Sequence, residues 1–285
     1  MQVKQFQEGI ELSGYIEGMP EDYYHTTKGF ISKSSLSMLK SSVFRFFNQP
    51  KRNPTKAMQI GTALHCAILE PEKFKETYLM MPEVKSKALK VYKDAVKDNP
   101  EKEILTGSDC DNLDGMVKAV YSNNAARELL ELDGWCEVSG FHEDENTGVS
   151  LRHRFDKLTK CGVGIDLKKT QSVAPEELSK TIQKYGYHMQ DSLYSDGYKA
   201  INGFNLSAFY FIFVEEQYPH EVAVVYLDDV SKQVGRDEYK ELLVDYSFYS
   251  NNRDKVHNNS EIQMVSLPEW SLRQYENELE DGGII

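Results

Sequence analysis

The apolar positions of the first 130 residues recur at helical spacing, whereas those from about residue 135 onward first alternate as in strands. In "ISKSSLSMLKSSVFRFFN" (31–48), Leu36, Leu39, Val43 and Phe47 predict one helix, with Ser34 as its N-cap. "MQIGTALHCAILEPEKF" (58–74) is apolar nearly all round up to Glu70-Pro71, which predicts a buried helix. Residues 85–131 read as charged and mostly helical, with breaks near Asn99-Pro100 and Gly107. "WCEVSGFHE" (135–143) and "GVSLRHRFDKL" (148–158) then read as strands joined by a hairpin turn at "DENTG", and "GVGIDLKKT" (162–170) as a third. A long helical stretch is predicted over 174–201, with Pro175, Glu176 and Glu177 suited to its first turn. "NLSAFYFIFVEE" and "HEVAVVYL" are two further strands, and 231–249 an amphipathic helix. Strands interleaved with helices predict an α/β fold: a mixed central sheet flanked by helices, with a helical N-terminal layer. The expected division is an extension over 1–27, one domain over 28–250 (helical part 28–131, core 132–230), and a tail with a short helix over 251–285.

Charge changes this picture. The 285 residues carry a formal net charge of −12, which argues against an anionic partner. Yet residues 27–69 hold Lys28, Lys33, Lys40, Arg45, Lys51, Arg52 and Lys56 and no acid, while residues 201–285 hold sixteen acids against six bases. A solvated face is the ordinary reading of a basic run, but one of this length favours an anion-binding surface. No apolar run approaches the ~20 residues of a membrane span. The N-terminus has no signal-peptide pattern, so a cytoplasmic location is expected. Cys66, Cys110, Cys136 and Cys161 are scattered, which fits free thiols and excludes zinc-ribbon spacing.

The chemistry gathers on the predicted strands. Asp166 and Lys168 stand two residues apart, so their side chains leave the same face. Asp156 lies on the preceding strand, and two neighbouring carboxylates imply a cation or a shared proton. Carboxylates without clustered Cys or His suit Mg²⁺ or Mn²⁺, beside which Lys168 could orient or deprotonate a water. A surface ion pair is the competing reading of Asp166 and Lys168. Further pieces are Gly61-x-x-x-His65, Arg152-x-x-x-Asp156 and Gln190-x-x-x-Tyr194. His65 is either a satisfied core histidine or a metal ligand. Gly61, one turn earlier, would let another element approach the helix.

In this order the motifs are similar to those of the PD-(D/E)XK nuclease superfamily. The stretches "GTALHCAILEPEKF", "RHRFDKL", "IDLKKT" and "YGYHMQDSLYSDGY" resemble the RecE-type exonuclease domain of phages and prophages, over about residues 28–230. The resemblance implies a 5′→3′ exonuclease that degrades linear double-stranded DNA to 3′ single strands for recombination. It implies two Mg²⁺ ions per site, with Mn²⁺ as a substitute. It also implies a toroidal homo-oligomer, trimer or tetramer, that works at duplex ends with a single-strand annealing protein. Related nucleases often carry an iron–sulfur cluster; the scattered cysteines depart from that variant, and none is expected.

Carried over residue by residue, Asp156 and Asp166 resemble the metal-binding acids, Asp166 being expected to bridge both ions. Lys168 resembles the catalytic lysine, with its pKa lowered by the ions. His65 and the backbone carbonyl of Leu167 resemble further metal ligands. Gln190 and Tyr194 resemble the helix pair that supports the lysine and the DNA end. Glu137 falls near a family acid or is structural. Ser34, Ser35, Arg45, Lys51, Arg52 and Arg152 are expected to line the DNA path. The alternatives are a restriction-type endonuclease and a catalytically silent DNA-binding or assembly protein on the same fold.

Overall fold

Residues 208–215, AFYFIFVE, are apolar on both faces, as a strand covered on both sides must be. The computed structural model, which describes residues 1–50, 55–258 and 260–280, places this strand inside the sheet. Nine strands are described: β1 (Val3–Gln5), β2 (Gly14–Glu17), β3 (Tyr78–Met81), β4 (Glu103–Thr106), β5 (Gly134–Glu143), β6 (Ser150–Thr159), β7 (Val163–Thr170), β8 (Ala208–Glu215) and β9 (Val222–Val225). The main sheet runs β1-β2-β5-β6-β7-β8-β9 and is mixed, as expected: β1 with β2 and β7 with β8 are parallel, the other pairs antiparallel.

The alternation along β7 and β8 assigns the two faces. Ile165, Leu167, Ile212 and Val214 pack against the helices Lys56–Leu69 and Ser108–Ser122 through Leu64, Leu113 and Met116. Phe209, Phe211 and Phe213 point the other way, onto Leu178 of the helix Pro175–Tyr185 and Tyr198 of the helix Tyr187–Asn202. Asp166 and Lys168, in the intervening positions of β7, therefore leave toward the second layer.

Several predicted elements differ. The helix expected over 174–201 is broken at Gly186, whose φ of 66° only glycine adopts freely. The helix expected over 31–48 is two, Lys33–Ser41 and Val43–Asn48. Ser42 adopts an extended conformation between them and caps the second through the Arg45 amide. The N-cap of the first is Ser32, not Ser34: the Ser32 hydroxyl accepts from the Ser35 amide.

The N-terminal layer is not purely helical, since β3 and β4 form a small parallel sheet within it. Residues 1–27, expected as an extension, supply β1 and β2 to the main sheet, and bury Tyr15, Ile16, Met19 and Tyr24. The tail carries the expected short helix, Glu269–Glu280. Among the described residues no helix is long and apolar enough to cross a membrane.

Candidate active site

The ladder between β6 and β7 stops at Lys157 opposite Ile165. The next pair in that register is Asp156 and Asp166, and on the other side of β6 the register sets Asp156 opposite Glu137. Glu137, Asp156 and Asp166 thus form one row across three strands, at a break in the pairing on both sides of β6. Glu137 has a φ of 50°, a left-handed conformation uncommon outside glycine and found preferentially at functional sites. Asp156 fills the break in the ladder, its Oδ2 accepting from the Leu167 amide at 2.7 Å. Carboxylates directly opposite one another in a sheet repel, so this row is stable only beside cations or protons.

The cations paired with the two aspartates are His65 and Lys168. His65 Nδ1 lies 3.3 Å from Asp156 Oδ2, and Lys168 Nζ 2.5 Å from Asp166 Oδ2. Burial would lower the His65 pKa, but Asp156 outweighs it and holds the imidazole at about 9. Burial would raise the Asp156 pKa, but His65 and Lys168 bring it below the ordinary carboxylate value. Burial and then Asp156 raise Asp166, and the same two causes push Glu137 up to about 7. The expected lowering of Lys168 is not what the protein's own groups produce. Burial works in that direction, but Asp166 and Asp156 hold the ammonium above its ordinary value.

A donor set for a hard divalent ion is present. One ligand atom each from His65, Glu137 and Asp156 lie within 4.8 Å of one another, at the junction of two hollows of about 220 and 320 Å³. Asp166 lies one strand further, engaged by Lys168 and by the Gln190 side-chain amide, which donates to its Oδ1. Asp156 rather than Asp166 therefore stands between the two halves of the row. The Leu167 side chain is buried in the core, and its carbonyl falls between the positions of Asp166 and Lys168 on β7. Gly61 lines the smaller hollow with His65, and no atom lies within 4 Å of where its Cβ would be. The missing side chain leaves open space rather than admitting another element.

The remaining expected residues divide. Tyr194 is packed on His153 and Phe155, hydrogen-bonds the Arg154 backbone and faces the larger hollow. Ser34 lines that hollow, Ser35 is held in the Ser32 cap, and Arg45 is exposed on the helix Val43–Asn48 outside it. Lys51 and Arg52 lie outside the described residues. Arg152 lines neither hollow: it is buried, with its guanidinium donating to the Tyr24 and Thr27 carbonyls. Arg154, two residues on, lies 3.9 Å from Glu137 and lines both hollows.

Lys33 was hidden in the basic run. Its ammonium and that of Lys168 lie 5.4 and 5.1 Å from the centre of the Tyr187 ring, and burial and then Lys168 lower the Lys33 pKa to about 8.

In chelator, Glu137→Gln is expected to stabilise the protein. Well below pH 4.5 the wild-type carboxyl is protonated in both states; from there to about pH 7 the unfolded chain ionises first. Wild-type stability therefore falls as pH rises through that window, and the deficit is constant above it. The variant should gain on the order of 1–2 kcal/mol above pH 7 and little at the acid end of the window. Thermal melts giving the same difference at both ends would contradict this. His65→Ala is expected to fold and to require on the order of tenfold or more Mn²⁺ for half-maximal activity. An unchanged Mn²⁺ titration would leave His65 as a packing residue.

A mixed sheet whose acids meet across broken pairing, with a lysine two residues beyond the last, defines the PD-(D/E)XK nuclease class. The family described as "PDDEXK-like domain of unknown function (DUF3799)" matches residues 32–267, and the chain belongs to it. A crystal structure of a candidate exonuclease from Eubacterium rectale has the same fold, with a TM-score of 0.61 at 12% identity, covering 93% of this chain and 98% of that one. A second solved structure, SSO0001, aligns with a TM-score of 0.28 at 12% identity over 70% of this chain and 98% of that one, too low to bear on the fold. No curated protein matches the sequence.

Proposed function

We propose that this nuclease is a metal-dependent 5′→3′ exodeoxyribonuclease that acts at the ends of linear duplex DNA. The observation that carries the reading is the row Glu137–Asp156–Asp166, flanked by His65 and Lys168, at the junction of the two hollows. Two Mg²⁺ ions held by His65, Glu137, Asp156, Asp166 and the Leu167 carbonyl, with Mn²⁺ as a substitute, would acidify a water and neutralise the departing oxygen. Lys168 orients that water and balances the charge that develops on the phosphate. The Gln190 amide fixes Asp166, and the Leu167 amide fixes Asp156, so the row keeps its geometry when charge changes beside it. Lys33, Arg154 and Ser34 wall the larger hollow and suit a phosphate backbone.

The same reading extends to Ser35, Arg45, Lys51 and Arg52 as parts of the DNA path. It includes a ring of three or four copies around the duplex, and an annealing protein that takes the 3′ strand in the cytoplasm of a phage or prophage host. The polarised charge supports a basic inner wall, with the acidic third of the chain outside.

The test is digestion of linear duplex labelled at either end, with and without Mg²⁺, beside a closed circle. The 5′ label should be released first, only with metal, and the circle should resist. Early release of the 3′ label would overturn the polarity, and cutting of the circle at the linear rate would overturn the exonuclease reading.

A further inference from the structure

Two apolar surfaces on this chain stand open, and neither covers the other. The first is a groove of about 650 Å³ between the helix Pro175–Tyr185, the edge strand β9 and the start of the helix Asp229–Asn251. Leu178, Ile182, Ala223, Val225, Val230 and Val234 line it. The second is the C-terminal arm. From His257 to Asn277 every described residue except Ser271 is exposed, including Ile262 at 103%, Met264 at 94%, Val265, Leu267 and Trp270. Single exposed apolar residues are ordinary; a continuous set on one segment marks an interaction site. The helix that ends the arm, Glu269–Glu280, is also of a length that is marginal in water without a packing partner.

We propose that the segment Ile262–Leu267 of one copy docks in the groove beside β9 of a second copy. Residues 261–268 form no helix, and β9 is the edge of the sheet, along which an extended segment can add. Charge agrees. Residues 262–268 carry none, and the charged groups of the groove are already engaged: Lys40 and His188 with Glu238, and Asp228 with the Ser231 amide. An arm on one copy and a groove on the next make a heterologous contact, which closes into a ring when the rotation allows. This rests on the proposal that copies of the chain assemble, and it assigns the surface through which they do so.

The test uses the full chain and measures mass by light scattering. Met264→Asp with Val265→Asp alters the arm, and Val230→Asp alters the groove; all three positions are exposed, so the fold should hold by circular dichroism. The wild type should be larger than a monomer, and each variant monomeric. An equimolar mixture of the two variants should form a dimer and nothing larger, because it retains one intact arm and one intact groove. Assembly that persists in both variants overturns the arm contact and leaves the assembly standing, whereas a monomeric wild type overturns both. Digestion of labelled duplex by the same variants reports on the nuclease reading separately.

Discussion

Asp156→Asn is expected to lower cleavage of linear duplex by about 10³-fold or more, the rate equivalent of several kcal/mol of metal-derived charge stabilisation. Asparagine keeps an oxygen for the Leu167 amide, so the break between β6 and β7 stays bridged. What it removes is the charge shared between His65 and Glu137 on one side and Asp166 on the other. The variant should fold, because the ion pair lost with His65 is offset by relief of repulsion within the acid row. Asp166→Asn should also be severe but somewhat less so, since Asp166 contacts Lys168 and Gln190 rather than the His65 cluster. Metal binding gives an independent readout. A divalent ion at about 100 times its Kd stabilises a folded protein by about 2.7 kcal/mol, and the Asp156→Asn variant should lose that shift. Cleavage by either variant at near wild-type rate would show that this row is not the centre of the chemistry.

The order of chemical groups was legible in the sequence, because Asp166 and Lys168 need only the two-residue period of one strand, and Gln190 and Tyr194 only the turn of one helix. Glu137 needed more. Its place depends on the register of a hairpin, and its left-handed backbone breaks the alternation that a register argument would use. Arg152 and Arg154 share a strand face, so periodicity could not tell which guanidinium lines the hollows beside Glu137. That distinction is made by residues 20–27, whose Tyr24 and Thr27 carbonyls capture Arg152. Strands of three or four residues, as in β1 and β2, show no measurable period, which is why the N-terminal segment read as an extension. The break at Gly186 was visible as a glycine, but the apolar pattern runs through it. The left-handed conformation of Gly186 sets the turn, and Lys33 donates to the Tyr185 carbonyl there.

Lys168→Ala is expected to reduce turnover by about 10²–10³-fold with little change in DNA affinity. Lys168 is mostly buried, and its ammonium is already engaged by Asp166, so a ground-state phosphate would have to compete with that carboxylate. The charge counts most when the phosphate gains negative charge in the transition state, which places the loss in kcat. Lys33 differs. Its ammonium is held by the Tyr185 carbonyl, a neutral acceptor that a phosphate displaces readily, and it lies at the N-terminus of a helix lining the hollow. Lys33→Met should therefore weaken duplex binding, measured in Ca²⁺ to prevent cleavage, by about three- to tenfold, while sparing turnover at saturating DNA. Lys168→Arg should not restore activity, because a planar fork cannot replace a compact ammonium 2.5 Å from Asp166 Oδ2. If Lys168→Ala lost binding and turnover in equal measure, the lysine would be a phosphate clamp, and activation of the water would have to come from the acid row alone.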